Sequence, residues 1–225
     1  MVCPPFPMIL PLSNVIAGVD AQREATHFKN RVLDLVDVYL KKQHSNPLAL
    51  RFIIPLSMLV IGSGQDERQL ADKAKGILRS RIGKTKEIPV GVNPSHVAEI
   101  STTIHALAQK ARSSDILAIL GLCSVYLVKI AIQVKEDSFI DLYKQDLLDF
   151  TTRKNSGLNG TFFQEFIKRY PSYAWRMRQD FLDSTSKTIN AYRQIQVVQL
   201  LQLLLNLLPS YVSQSFLLLA CRYLH

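Results

Sequence analysis

The chain has 225 residues and a formal net charge of +9, from 27 Lys and Arg against 18 Asp and Glu. Hydrophobic residues make up 48% of it, and it contains 9 Gly and 10 Pro. This composition excludes a disordered basic tail, a collagen-like chain and a low-complexity sequence. The surplus of positive charge favours an acidic partner, with nucleic acid as the first candidate.

The N-terminal residues 1–19 are predicted to be a poorly structured segment, because four prolines occur by position 11. They have no basic region before an apolar stretch, so no signal peptide is predicted. Residues 20–225 are predicted to form a single helical-repeat domain, since apolar residues recur there with a 3.6-residue period. The predicted helices cover about residues 20–43, 48–61, 66–81, 94–112, 116–135, 137–150, 161–170, 172–182 and 184–207, with a last one after Pro209.

Cap-forming residues and prolines mark the helix starts. Asn46-Pro47 and Asn93-Pro94 are predicted to open helices, and they lie 47 residues apart. Pro55 predicts a kink or break in the second helix. Ser113-Ser114-Asp115 predicts a cap at 116–135, and Thr161 a cap on a short helix. No alternating strand pattern occurs, and the 47-residue interval matches the period of HEAT-type repeats. The predicted fold is therefore all-α, a HEAT/armadillo-like α-solenoid of about nine or ten helices.

Two apolar stretches have the length of a membrane span. Residues 116–134 contain one charge, Lys129, and residues 194–221 contain none. In the second stretch Gln196, Gln199, Gln202 and Asn206 recur on one helical face, as in a mostly buried soluble helix. We therefore expect both to be buried helices of a solenoid, with no membrane partner.

Catalytic and metal-binding patterns are weak. Gly83-Lys84-Thr85 resembles the end of a P-loop, but the required first glycine is absent, so no nucleotide site is predicted. The pairs Asp34/Asp37 and Asp146/Asp149 are predicted to be solvated helix faces rather than a two-metal site. No His spacing suits a metal, and Cys3, Cys123 and Cys221 form no C-x-x-C pair. No metal and no cofactor are predicted, and the cysteine pattern favours a reducing compartment. An enzyme acting on nucleic acid is kept as a third hypothesis, after the two that are given at the end of this section.

The positive charge is concentrated in two segments. Residues 68–86 carry a formal +6 and residues 153–178 a formal +5, so the rest of the chain is slightly acidic. Tyr170, Tyr173 and Trp175 interleave with the second cluster, where they would stack on bases. The alternative is a solvated helix face and a basic loop, with the aromatic rings in the core. The candidate nucleic-acid-binding residues are Arg68, Lys75, Arg79, Arg81, Lys84, Lys86, Arg153, Lys154, Lys168, Arg169, Arg176 and Arg178.

Several sequence segments, in this order and spacing, resemble a known family. Residues 28–86 and 147–210 are similar to the C-terminal region of the DNA polymerase phi / Myb-binding protein 1A family. The segments that carry the resemblance are RVLDLVDVYLKK (31–42), SNPL (45–48), IPL (54–56), AKGILRSRIGK (74–84), RKNSGL (153–158) and FFQEFIKRYP (162–171).

The resemblance implies a nucleolar protein of HEAT/armadillo-like helices that takes part in ribosomal DNA transcription and ribosome assembly. Its members are much longer, which implies that this chain is a C-terminal fragment with contacts to upstream repeats. Our first hypothesis is a non-enzymatic scaffold of the nucleus and nucleolus that contacts rRNA or rDNA through its basic patches. The second is a protein-interaction module that binds transcription or ribosome assembly factors through a solenoid groove.

Overall fold

The computed structural model describes residues 12–62, 64 and 67–208, with side chains described from residue 23 onward. The helix predicted after Pro209 lies outside these residues, as do residues 1–11. A 3₁₀ turn, Pro47–Phe52, precedes α2, and a π-helical turn, Leu78–Gly83, extends α3. The α-helices of the described part are α1 (Leu12–Lys42), α2 (Ile53–Gly62), α3 (Arg68–Ile77), α4 (Pro94–Gln109), α5 (Ser114–Gln133), α6 (Phe139–Thr152), α7 (Gly160–Arg169), α8 (Pro171–Trp175), α9 (Arg178–Thr185) and α10 (Ala191–Leu207).

Short polar side chains cap five of the described helical segments. The predicted caps Asn46, Asn93 and Ser113 each accept a hydrogen bond from a first-turn backbone N–H, and are confirmed. The prediction that Thr161 caps α7 is wrong, because Asn159 accepts from the Phe162 amide at 3.1 Å. Asn190 caps α10 in the same way.

Other helix bounds differ from the prediction. The first helix begins at Leu12, not near residue 20. The break expected at Pro55 occurs at Ile53, which places the proline in the first turn of α2, where its missing N–H costs nothing. The helix predicted at 172–182 is interrupted between Trp175 and Arg178.

The helices stack in two layers. Layer A consists of α1, α3, α5, α7 and α10, and layer B consists of α2, α4, α6 and α9, with each helix packed on the next one in its layer. Helices α3, α5 and α7 begin at residues 68, 114 and 160, which are 46 residues apart. The all-α solenoid is therefore confirmed, with a repeat length in the HEAT range.

Hydrogen bonds between neighbouring repeats follow the same period. A side chain of one repeat donates to a backbone carbonyl 43 to 45 residues earlier, as Lys73 does to Asn30 and Tyr170 does to Val125. Arg153 and Arg193 donate likewise to Gln109 and Phe150. Since buried or half-buried carbonyls need partners, these bonds fix how each repeat sits on the one before.

Helix α5 lies at the centre of the stack. Among the described helices it alone is long and apolar enough to cross a membrane, but 67% of its most apolar window is buried inside the protein. Lys129 donates to the Lys86 carbonyl, so its charge stays at the surface. On α10, Gln199, Gln202 and Asn206 are exposed on one face, as predicted.

Candidate nucleic-acid interface

Most cations of the first predicted cluster join α3 to its neighbours. Lys75 Nζ and Arg79 Nη2 each lie 2.7 Å from a carboxylate oxygen of Asp115 at the start of α5. The hydrogen bond from Lys75 is the main reason that the pKa of Asp115 is lowered and, reciprocally, that the pKa of Lys75 is raised.

Arg81, in the π-helical turn that extends α3, pairs with a different neighbour. Its Nε and Nη2 atoms lie 2.8 and 3.0 Å from the two carboxylate oxygens of Asp37 on α1. This paired hydrogen bond lowers the pKa of Asp37. In the described part of the chain, Arg68, Lys84 and Lys86 form no ion pair, and all three are exposed.

The second predicted cluster is divided between two ends of α7. Arg153 and Lys154 lie in the loop before this helix, whereas Lys168 and Arg169 lie in its last turn. A ten-residue helix is about 15 Å long, so these two groups do not form one patch. Near the far end, Arg176 pairs with Asp137 at 2.7 Å.

The aromatic residues of this segment contribute to the core. Tyr170, Tyr173 and Trp175 are partly buried against it, and the Tyr170 hydroxyl donates to the Val125 carbonyl. Arg178 is occupied too, with its guanidinium 5.5 Å from the centre of the Trp175 ring. The three rings therefore pack against the core, as in the second of the two alternatives left open by the sequence.

A different set of cations lies together on one edge of the solenoid. Three loops meet there: 110–113 between α4 and α5, 153–159 between α6 and α7, and 186–190 between α9 and α10. The Gly157 amide donates to the Gln109 carbonyl at 2.9 Å, and the Ile189 amide donates to the Thr151 carbonyl at 3.0 Å. We call these loops the basic loop edge, because they contain no Asp or Glu and carry Lys110, Arg112, Arg153, Lys154 and Lys187.

Two arginines hold this edge together. Arg153 donates to the Gln109 carbonyl at 2.7 Å and pairs with Asp149 at 2.6 Å. Arg193 donates at 2.6 Å to the carbonyls of both Phe150 and Arg153, and at 3.1 Å to that of Lys154. Its guanidinium also lies 5.3 Å from the centre of the Phe150 ring. The loops are therefore fixed by charge-assisted hydrogen bonds to carbonyl groups in the loops and in the helix ends beside them.

A close backbone approach completes the edge. A Cβ atom at Gly157 would lie 2.5 Å from the carbonyl oxygen of Ala111 and 2.6 Å from its amide nitrogen. Only glycine leaves room for the two loops to meet this closely.

The opposite edge of the solenoid has no comparable excess of positive charge. Its loops, 43–46, 84–93 and 134–138, carry Lys84, Lys86 and Lys135 but also Glu87, Glu136 and Asp137. On the basic loop edge, by contrast, Lys110, Arg112, Lys154 and Lys187 are exposed, and none forms an ion pair with another described residue. Sequence reasoning missed Lys110, Arg112 and Lys187 because they are isolated along the chain, and only the repeat brings them together.

A buried polar network crosses the middle of the stack. His105 Nδ1 lies 2.6 Å from Asp146 Oδ2, and His105 Nε2 lies 2.8 Å from Ser124 Oγ. Ser124 Oγ also lies 2.8 Å from Tyr143 Oη, and Gln109 donates to Asp146 at 2.8 Å. The prediction that Asp146 lies on a solvated face is therefore wrong.

The hydrogen bonds that link Asp146 to His105 and His105 to Ser124 have the same connectivity as a hydrolase triad. Ser124 and Asp146 have no exposed surface, however, so no substrate reaches the hydroxyl in this arrangement. The network satisfies buried polar groups of α4, α5 and α6 and ties the three helices together.

Other predicted carboxylates are paired. Asp34 lies 2.8 Å from Lys73, and Asp149 accepts hydrogen bonds from both Arg153 and Ser156. Within the described residues, no group of three or more His, Cys, Asp or Glu is arranged to hold a metal ion. Burial raises the pKa of the Cys123 thiol to about 12.

The fold and the site together define a two-layer α-solenoid with a cluster of exposed, unpaired cations on one loop edge. A family model described as Myb-binding protein 1A-like, TPR repeats, matches residues 43–210. The chain therefore belongs to the Myb-binding protein 1A-like family. Its 46-residue helix spacing is longer than the 34 residues, roughly, of the standard TPR unit.

Two relatives bear related names. A Myb-binding protein 1A-like protein of Danio rerio is 23% identical over 188 residues, which cover 75% of this chain and 15% of that protein. The rDNA transcriptional regulator pol5 of Schizosaccharomyces pombe is 26% identical over 150 residues, which cover 64% of this chain and 15% of that protein. The chain thus spans about 15% of the length of these relatives. No solved structure matches the chain.

Proposed function

We propose that this chain is part of a non-enzymatic scaffold of the nucleus and nucleolus that acts in ribosomal DNA transcription and ribosome biogenesis. The name of the fission yeast relative, an rDNA transcriptional regulator, supports the setting. The scaffold contacts rRNA or rDNA through its basic surface. The observation that carries this contact is the basic loop edge, where exposed cations lie without a carboxylate in the same loops.

The non-enzymatic part of the proposal is supported by how the carboxylates are used. Asp37 and Asp149 are bound by Arg81 and Arg153, and Asp146 is buried against His105. None of the three is free to take a catalytic metal or to act as a general base in a cleft. The partners would be nucleic acid and the assembly or transcription factors that work with it.

Fluorescence anisotropy of the purified chain with structured rRNA fragments and duplex rDNA tests the contact. We expect binding whose affinity falls steeply as the salt concentration rises, because Lys and Arg release counterions from phosphates. Absence of salt-dependent binding to any of these probes would refute the nucleic-acid part. Template-directed synthesis or nuclease activity would refute the non-enzymatic part.

A specific observation also favours the second candidate, a protein-interaction module. A groove of about 370 Å³ lies between α5 and α7, and its lining includes Leu117, Ala118, Gly121 and Phe162. On α1, Phe28 and Leu35 are 70% and 71% exposed, as expected for a face that packs on preceding repeats of a longer array. Light scattering separates the two functions: a stable dimer without RNA affinity favours the module, and a monomer that binds RNA favours the scaffold.

A further inference from the structure

The basic loop edge has a geometry that specifies its ligand more closely than charge alone, and this inference rests on the proposed nucleic-acid contact. We propose that the basic loop edge binds the phosphate backbone of a nucleic-acid double helix, with Lys110, Arg112, Lys154 and Lys187 on the phosphates and without reading bases. These four residues are exposed and form no ion pair with another described residue. Their charges are therefore available to a ligand, unlike those of Lys75, Arg79 and Arg81.

The three loops form a ladder of cations at helix spacing. Packed helices lie about 8–10 Å apart, so three successive loops extend over roughly 20 Å. That length corresponds to about six base pairs of a duplex at 3.4 Å per base pair. A rigid row of charges on this scale follows a regular helical backbone better than it follows a flexible strand.

The edge is preorganised for such a ligand. Arg153 donates to the Gln109 carbonyl, and Arg193 donates to the carbonyls of Phe150 and Lys154. These hydrogen bonds hold the loops in place before a ligand binds. The loops therefore lose less conformational entropy when the ligand binds.

The side chains of the edge do not provide a platform for unpaired bases. Single-strand binding surfaces stack successive bases on several aromatic rings. In the described part of this edge, Tyr192 is the one ring that is largely exposed, at 68%, while Arg193 covers the ring of Phe150. Lys and Arg without neighbouring base-stacking groups are typical of backbone contacts, which position a duplex but carry no sequence information.

The decisive experiment compares two matched variants of the full chain. The edge variant combines Lys110→Gln, Arg112→Gln, Lys154→Gln and Lys187→Gln. The control variant combines Arg31→Gln, Lys41→Gln, Lys42→Gln and Arg51→Gln. It removes the same charge from exposed positions in the first repeat, distant in sequence from the basic loop edge. Affinity for a 20-base-pair RNA duplex, a DNA duplex of the same length and a single-stranded poly(U) probe is measured by anisotropy between about 50 and 200 mM salt.

We expect the wild-type chain to bind the duplexes more tightly than poly(U). For the edge variant, we expect the duplex affinity to fall at least about tenfold. The slope of log affinity against log salt should become about 3.6 units less steep on DNA, because each of the four lost phosphate contacts contributes about 0.9. The control variant should lose far less. The RNA and DNA arms then show which duplex is preferred.

Two kinds of failure are distinguishable. If the wild-type chain binds none of the probes, the proposed function itself fails. If it binds but the edge and control variants lose affinity equally, or poly(U) binds as tightly as the duplexes, the proposed function stands and the site is refuted. Unfolding midpoints check that each variant is folded, and the smaller variant Arg112→Glu with Lys154→Glu gives a second, independent test at the centre of the edge.

Discussion

His105 Nδ1 and Asp146 Oδ2 lie 2.6 Å apart in the interior, although 41 residues separate them in the sequence. The pair joins α4 to α6, which are successive helices of layer B. Ser124 and Gln109 occupy the remaining hydrogen-bonding positions of the two side chains. A polar network of this kind stabilises one register between repeats, because any other register leaves its members buried without partners.

Removing Asp146 should therefore be costly. We expect Asp146→Ala to lower the free energy of unfolding by about 2–4 kcal/mol, since His105 and Gln109 lose their buried acceptor. Asp141→Ala on the exposed face of the same helix, where Lys144 lies 3.5 Å away, should change it by less than about 0.5 kcal/mol. Urea unfolding followed by circular dichroism measures both. Equal effects of the two changes would contradict the structural role of the network.

The pair of Asp37 and Arg81 predicts a pH dependence of stability. Because the hydrogen bond from Arg81 lowers the pKa of Asp37 in the folded state, the ionised carboxylate stabilises the fold. This contribution is fully present above the ordinary pKa of aspartate, about 4, and is lost as the pH falls through the lowered pKa. The wild-type chain should therefore exceed Asp37→Asn in stability at pH 7, and the difference should shrink below about pH 4.

Thermal unfolding of both proteins between pH 2.5 and 7, a range chosen around the pKa of aspartate, measures this difference. In an Arg81→Gln background, Asp37→Asn should have a much smaller effect at pH 7, because the partner that lowers the pKa is gone. An unchanged effect in that background would show that the ion pair does not stabilise the fold.

Two glycines should respond in opposite ways to alanine. Gly157→Ala should lower the free energy of unfolding by about 1–3 kcal/mol, because its Cβ would overlap the backbone of Ala111. Gly76→Ala should raise it by about 0.5–1 kcal/mol, because this residue lies inside α3 with open space around the new methyl group. Chemical denaturation decides the signs, and a stabilising Gly157→Ala would show that the two loops do not meet as closely as described.

Arg193 should not be replaceable by lysine. Its guanidinium reaches three carbonyl groups at once, and a single ammonium does not reproduce that fork. We expect Arg193→Lys to lower the free energy of unfolding by about 1–3 kcal/mol. Arg112→Lys on the same edge keeps the charge of an exposed side chain and should leave stability unchanged within about 0.5 kcal/mol. Similar losses for the two variants would contradict the clamping role of Arg193.

Local features of the fold were predictable because they depend on neighbouring residues. The caps Asn46, Asn93 and Ser113 act within one helical turn, and the exposed stripe of Gln199 and Gln202 follows from the 3.6-residue period. Two errors are also local. Asn159 caps α7 in place of Thr161, and Asn190 caps α10, which therefore begins at Ala191 and not at residue 184.

The candidate site was not predictable in the same way. The charge count along the chain predicts nucleic-acid binding by residues 68–86 and 153–178, because cations are close together in the sequence there. Several of these, among them Lys75, Arg81 and Arg176, pair with carboxylates that lie 36 to 44 residues away and enter no local count. Local charge density does not tell a paired cation from a free one.

Successive apolar helices with defined ends follow from the amino-acid sequence, because periodicity and capping are properties of single helices. Which charges remain available depends instead on how the helices pack together. Stacking at a 46-residue period neutralises most of the cations along α3. The same stacking gathers Lys110, Arg112, Lys154 and Lys187, which are scattered along the chain, on one edge. The physical reason is that the free charge of a solenoid depends on contacts between repeats, and those contacts join residues one repeat apart.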